Sequence, residues 1–137
     1  MKKLELKHLA PYLPYGLFVM YRGREIVMDT KNIGIVLKEC SIILRPLSDL
    51  TKEIECNDIQ FIPSKTLMRL SRNDNFEYSL TFAFIRMLKL DIEQGNERDL
   101  INDLNNAPYW VIQKLFEWHF NVFNLPEHLY IDKSTIK

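Results

Sequence analysis

Glycine is scarce in this chain, with four in 137 residues. That leaves no material for a glycine-rich phosphate cradle, and neither a P-loop, a Gly-x-Gly-x-x-Gly fingerprint nor a Gly-x-Ser-x-Gly elbow occurs. Cysteine is scarcer still. Cys40 and Cys56 make no disulfide framework and read as reduced thiols, and no Cys-x-x-Cys or histidine cluster has the spacing of a zinc site. Long apolar runs are missing too: the stretch from Leu80 to Ile85 falls far short of the ~18–20 residues that span a bilayer. Lys2 and Lys3 imitate the basic start of a signal peptide, but Glu5, Lys7 and His8 interrupt the apolar segment that must follow, so the reading is a cytosolic protein. Nor is there an excess of either charge, with 18 basic against 18 acidic residues. Nucleic-acid binders usually carry a basic surplus, and its absence counts against that class. These absences predict no catalytic constellation, no cofactor and no metal.

What is present is an ordinary globular composition, 47% hydrophobic and 26% charged. The length predicts a single domain over residues 1–137, able to bury about two-thirds of its unfolded surface. Charge alternates in blocks along the chain. Residues 1–24 carry net +4, residues 25–62 net −3, residues 63–90 net +3, residues 91–103 net −4, and the remainder balances. Such alternation belongs to a salt-laced surface.

The first half has strand character. Leu17 to Tyr21 and Glu25 to Met28 flank Arg22-Gly23-Arg24, a connection of hairpin length. Ile33 to Leu37 and Ser41 to Leu44 are β-branched runs of strand length, which predicts a meander of about four short antiparallel strands, with Gly34 at a bulge or close approach. Pro46 to Ile54 reads as a helical turn or two. Asn57-Asp58 makes a turn ahead of a strand over Ile59 to Ile62.

After Pro63 the apolar period changes. Ser64 suits an N-cap for a helix over Lys65 to Leu70, followed by a polar loop over residues 71–75. Phe76 to Leu90 is apolar and free of Gly and Pro, which predicts a buried helix; a strand over Tyr78 to Phe82 is the alternative. Arg98 to Leu104 is a short amphipathic helix. The last helix, from near Asn106 to Asn124, holds both tryptophans and much of the aromatic content, with Pro108 in its first turn and Asn124 as a left-handed cap before Pro126. The predicted fold is therefore α+β: an N-terminal antiparallel sheet of four or five short strands (residues 1–62) against three or four C-terminal helices (residues 63–137), the last one central.

At about 100° per residue, Gln113, Lys114, Glu117, Asn121 and Asn124 share one polar arc of that last helix. Trp110 falls inside it. An aromatic ring on a polar face is either covered by the chain's own tail, Leu129-Tyr130-Ile131, or offered to a partner, so Trp110, Gln113, Lys114 and Glu117 are the candidate partner-binding residues. His119 lies on the apolar side with no second ligand at a useful spacing, and reads as a hydrogen-bonded core histidine. Lys65, Arg69 and Arg72 follow i, i+4, i+7 spacing, and with Arg22 and Arg24 they are the alternative, phosphate-contacting set. The acid pairs Asp49/Glu53 and Asp99/Asp103 lack a third ligand nearby in sequence and read as surface acids. Pro11-Tyr12-Leu13-Pro14 matches the minimal P-x-x-P pattern but looks like a packed N-terminal crossing.

Three stretches carry a resemblance: His8-Leu9-Ala10-Pro11-Tyr12-Leu13-Pro14-Tyr15-Gly16-Leu17, Ile43-Leu44-Arg45-Pro46-Leu47-Ser48-Asp49-Leu50-Thr51-Lys52-Glu53-Ile54, and the helix from Trp110 to Phe123. They resemble a family of small uncharacterised proteins encoded by phages, prophages and other mobile elements of gut bacteria. Nothing between Asn73 and Asn105 shares in it. Family members carry Gly where this chain has Asp58 and Asn124, both turn or cap positions that tolerate Asp or Asn. The resemblance brings no catalytic residues and implies an accessory role in a phage or mobile element. The missing catalytic chemistry, the balanced charge and Trp110 on a polar face add the expectation that this role is binding a protein partner, such as inhibiting or redirecting a host system. Self-association through the aromatic helix is compatible with that role.

Overall fold

The computed structural model describes residues 4–71 and 78–135. They form a mixed α/β structure with six α-helices, a four-stranded sheet and a two-stranded sheet among the described residues. The chain divides into two compact units, Met1–Pro46 with Lys114–Lys137, and Leu47–Gln113.

The first unit starts with α1 (Leu6–Leu9), which runs into a 3₁₀ helix over Ala10–Tyr15. The P-x-x-P residues lie in that 3₁₀ helix, and Tyr12 between the prolines is fully buried, its hydroxyl donating to the Phe120 carbonyl. Burial pushes the Tyr12 phenol well above its ordinary value. β1 (Phe18–Tyr21) and β2 (Arg24–Val27) make the expected hairpin. Arg22 and Gly23 both take positive φ, 51° and 78°, the two left-handed residues that a tight hairpin turn requires.

Ile33 to Leu37 is not a strand. It belongs to α2 (Ile33–Glu39), a helix in which Gly34 is an exposed interior residue rather than a bulge. The deciding features are local polar chemistry and burial. The Asp29 carboxylate accepts from the backbone N–H groups of Lys31 and Asn32, both at 2.8 Å, and the Asn32 side-chain oxygen accepts from Asp29 N–H. This Asx turn starts a helix, and helical spacing then points Ile33, Val36 and Leu37 at the core while Ile35 faces out. The β-branched propensity of the run loses to that pattern.

β3 (Ser41–Leu44) is buried over its last three residues. It pairs with β1 on one side and, in parallel, with a C-terminal strand β6 (Tyr130–Asp132) on the other, so the sheet order is β2-β1-β3-β6. The sheet is therefore not purely N-terminal or purely antiparallel. The core of this unit gathers Leu9, Tyr12, Leu17, Val19, Met28, Val36, Ile42 and Leu44 with Leu125 from the C-terminal segment.

The second unit begins with a 3₁₀ turn over Leu47–Thr51, which buries Leu47 and Leu50. Ile54 starts a strand instead of ending that turn: β4 (Ile54–Cys56) pairs antiparallel with β5 (Ile59–Phe61). Asn57 and Asp58 between them have φ of 54° and 65°. Asp58 thus stands in left-handed backbone, as a tight turn needs. α3 (Pro63–Ser71) follows at once, with Ser64 buried at its start and Leu67 in the core. The polar loop over residues 71–75 lies, apart from Ser71, outside the described residues.

α4 (Tyr78–Gln94) settles the helix-or-strand alternative over Tyr78 to Phe82 as helix and runs four residues beyond Leu90. Gly95 (φ 68°) ends it, and the Asn96 side chain caps α5 (Glu97–Asn105) by accepting from Asp99 N–H at 3.2 Å. α5 buries Leu100 and Leu104.

α6 covers Tyr109–Glu117, much shorter than the expected Asn106–Asn124. It ends early because strand β3 claims the chain that follows. Arg45 N–H donates to the His119 carbonyl and Asn121 N–H to the Arg45 carbonyl, both at 2.8 Å, making a short parallel bridge between Arg45 and Phe120. To turn from helix to bridge, the backbone passes through His119 at φ 62°. Phe120 N–H reaches the Leu115 carbonyl and His119 N–H the Phe116 carbonyl, a Schellman closure with histidine where glycine is usual. Asn124 is left-handed as expected (φ 52°), but in a later turn, held by Asn121, which exchanges side-chain hydrogen bonds with both backbone groups of Leu125.

Candidate functional site

The residues singled out on the last helix separate by environment. Trp110 is half-buried, and its indole N–H is shielded from solvent with no hydrogen-bond partner among the described residues. It therefore offers no polar handle to a partner. The exposed ring of α6 is its neighbour Tyr109, 74% accessible. Gln113 is exposed, while Lys114 and Glu117 satisfy each other in an ion pair at 3.1 Å. His119 is the hydrogen-bonded core histidine expected. It is buried, its Nε2–H donates to the Tyr15 carbonyl at 2.8 Å, and its ring meets Phe18 edge-on. Burial first, then the positive charges of Lys133 and Arg45, hold its pKa below the ordinary value.

The basic candidates fall in different units. Arg22 and Arg24 sit at the β1–β2 turn, where the Arg22 guanidinium lies over the Tyr21 ring, 5.1 Å from its centre. Lys65 and Arg69 are exposed on α3, and Arg72 lies outside the described residues. Lys65 and Arg69 line a recess of about 410 Å³ together with Glu53, Gln60, Phe61, Ile62 and Thr66.

Of the acid pairs, Asp49 joins Lys52 at 3.5 Å, and Asp99 accepts from the Asn96 amide at the start of α5. Asp103 has a partner that no local spacing announces. It stands within hydrogen-bonding reach of Asp91 on α4, whose Oδ2 is buried with no other partner among the described residues. That contact, burial and the charges of Asp103 and Asp99 raise the Asp91 carboxyl from 3.8 to about 6. No group of three or more His, Cys, Asp or Glu side chains among the described residues has the geometry to hold a metal ion. No helix among them is long and apolar enough to cross a membrane.

A further open surface is one the sequence reading missed. Met68 of α3 and Ala83, Met87 and Leu90 of α4 line a groove of about 650 Å³, edged by Arg86, Lys89 and Glu93. Helical geometry explains how α4 supplies it. At about 100° per residue, Ala83, Met87 and Leu90 fall in one arc about 60° wide, and Arg86, Glu93 and Lys89 follow on its flank. Ile85 and Leu88, on the opposite side, are buried in the core. The helix thus carries two apolar stripes, and among the described residues only one of them is buried. Met87 and Leu90 are each left half-exposed. The signal was present in the sequence, because an apolar helix with Arg86, Lys89 and Glu93 along one side is not buried all round.

Comparison with protein-family models, curated proteins and solved structures finds no match to this chain.

Proposed function

We propose that the chain is a non-catalytic accessory protein of a phage or mobile element that works by binding a protein partner, and so inhibits or redirects a host system. The observation that carries the binding role is the groove between α3 and α4. Its floor is Met68, Ala83, Met87 and Leu90, and a volume of about 650 Å³ accommodates several side chains of an inserted segment. Methionine is unbranched and polarisable and adapts to varied apolar side chains, which is why it recurs on surfaces that receive helices. Arg86 and Lys89 on the edge have no ion-pair partner among the described residues. The fitting occupant is therefore an amphipathic segment with an apolar stripe and acidic flanks.

The resemblance of three stretches to proteins of phages and mobile elements supports the accessory role. The test is capture of partners by the tagged chain and by two variants. Leu90→Glu puts a charge on the groove floor and abolishes capture of the specific partner, whereas Gln113→Ala on α6 leaves it unchanged. Loss in the second variant with retention in the first would transfer the contact to the α6 face and overturn the groove.

A further inference from the structure

We propose that the recess between β5 and α3 is a nucleotide site, taking a phosphorylated nucleoside either free or as one unit of a single strand. This inference is independent of the protein-binding groove and rests on different residues. Strand β5 runs into α3 through Ile62 alone, so the end of the strand and the first turns of the helix are held together by the shortest of connections. Gln60 and Phe61 come from the strand, and Lys65, Thr66 and Arg69 from one side of the helix. Glu53, just ahead of β4, completes the wall.

The chemistry divides as a nucleotide does. Lys65 and Arg69 are exposed, one helical turn apart, with no ion-pair partner among the described residues. They supply two cations to a phosphate, Arg69 with the planar fork that matches phosphate oxygens. Gln60 has donors and an acceptor, and Glu53 only acceptors, a combination suited to the mixed edge of a base with its exocyclic amino group. Phe61 adds an aromatic residue to the lining of the recess, the residue type on which bases stack. A volume of about 410 Å³ is in the range of small-ligand sites. The balanced charge of the whole chain argues against a long tract of nucleic-acid backbone, whereas a single phosphate answers only to the charges beside it.

Titration calorimetry with AMP, GMP, CMP and UMP, with inorganic phosphate, with the unphosphorylated nucleosides, and with short single-stranded DNA and RNA tests the assignment. At least one nucleotide or oligonucleotide binds with a Kd at or below about 1 mM. Phosphate alone and nucleoside alone bind at least about tenfold more weakly, since each fills half of the recess. Lys65→Ala with Arg69→Ala weakens binding about tenfold or more without moving the melting temperature, because both side chains are exposed. Tighter binding of the mononucleotide identifies the free ligand, and tighter binding of the oligonucleotide identifies the strand. Amide resonances shifted by the ligand fall within residues 53–69. The proposal is overturned by the absence of binding at that concentration, by equal binding of inorganic phosphate, by an unaffected double variant, or by shifts confined to other residues.

Discussion

His119 donates its Nε2–H to the carbonyl of Tyr15, 104 positions earlier, while its own backbone makes the left-handed turn that ends α6. The two roles oppose each other energetically. A side chain in left-handed backbone costs about 1 kcal/mol relative to glycine, and the structure retains histidine because the ring is buried and bonded.

The first prediction follows from that opposition. His119→Ala keeps the backbone strain and leaves the Tyr15 carbonyl without its donor, and destabilises the chain by about 2–3 kcal/mol. His119→Gly loses the same bond but relieves the turn, and costs about 1 kcal/mol less. Equilibrium urea unfolding reads both. The imidazole pKa is lowered in the folded state, so the unfolded chain binds the proton first as pH falls below the ordinary 6.5. Stability contributed by neutral His119 is therefore complete above that value and lost as pH falls toward the folded pKa, and His119→Gly abolishes that part of the loss.

Asp91 predicts the opposite slope. Its folded pKa is raised from 3.8 to about 6, so between those values the folded chain holds a proton that the unfolded chain has released. Stability from this group is present below pH 4 and disappears as pH rises through 6. Asp91→Asn retains hydrogen-bonding capacity toward Asp103 without the charge. It stabilises the chain at pH 7.5 by about 1 kcal/mol, and its advantage vanishes near pH 4. Melting temperature against pH, for wild type and variant, measures this directly.

Arg45 ties the end of β3 to the end of α6. Its Nε–H donates to the Trp118 carbonyl at 3.1 Å, and its backbone forms the bridge to Phe120. A cation at a helix C-terminus that also satisfies a buried carbonyl is worth more than a surface pair. Arg45→Met keeps most of the volume and costs about 2–4 kcal/mol. Arg45→Lys keeps the charge but loses the planar geometry, and costs about 1–2 kcal/mol. Urea unfolding separates the two.

Much of the local structure was legible in sequence. The β1–β2 hairpin was announced by Gly23 between two apolar runs, the turn at Asn57-Asp58 by its residue types, and α4 by a long stretch without Gly or Pro. What misled was competition between scales. Ile33, Ile35 and Val36 have strand propensity, yet the Asx turn at Asp29 and the burial of Val36 make them helical. β6 spans only three residues and exists because Ile42–Leu44 lie beside it, a pairing across nearly ninety positions that no local pattern encodes. The early end of α6 is likewise imposed by Arg45.

The candidate sites divide in the same way. Lys65 and Arg69 were visible through their helical spacing, but the recess they share with Gln60 and Phe61 depends on how β5 enters α3. The closeness of Asp91 to Asp103 depends on the Gly95 turn bringing α5 back along α4. Met87 and Leu90 were hidden within a helix whose apolar content suggested burial on every side.

The measurement that tests the protein-binding account most directly is photo-crosslinking in host cells, with a benzophenone amino acid replacing Met87 in one strain and Val27 in another. Both side chains are about half exposed, Met87 on the groove and Val27 on the edge strand of the four-stranded sheet. The account predicts covalent capture of one protein from position 87, through an apolar helical segment flanked by acids, and none from position 27. Equal capture from both positions, or none from position 87, would contradict it.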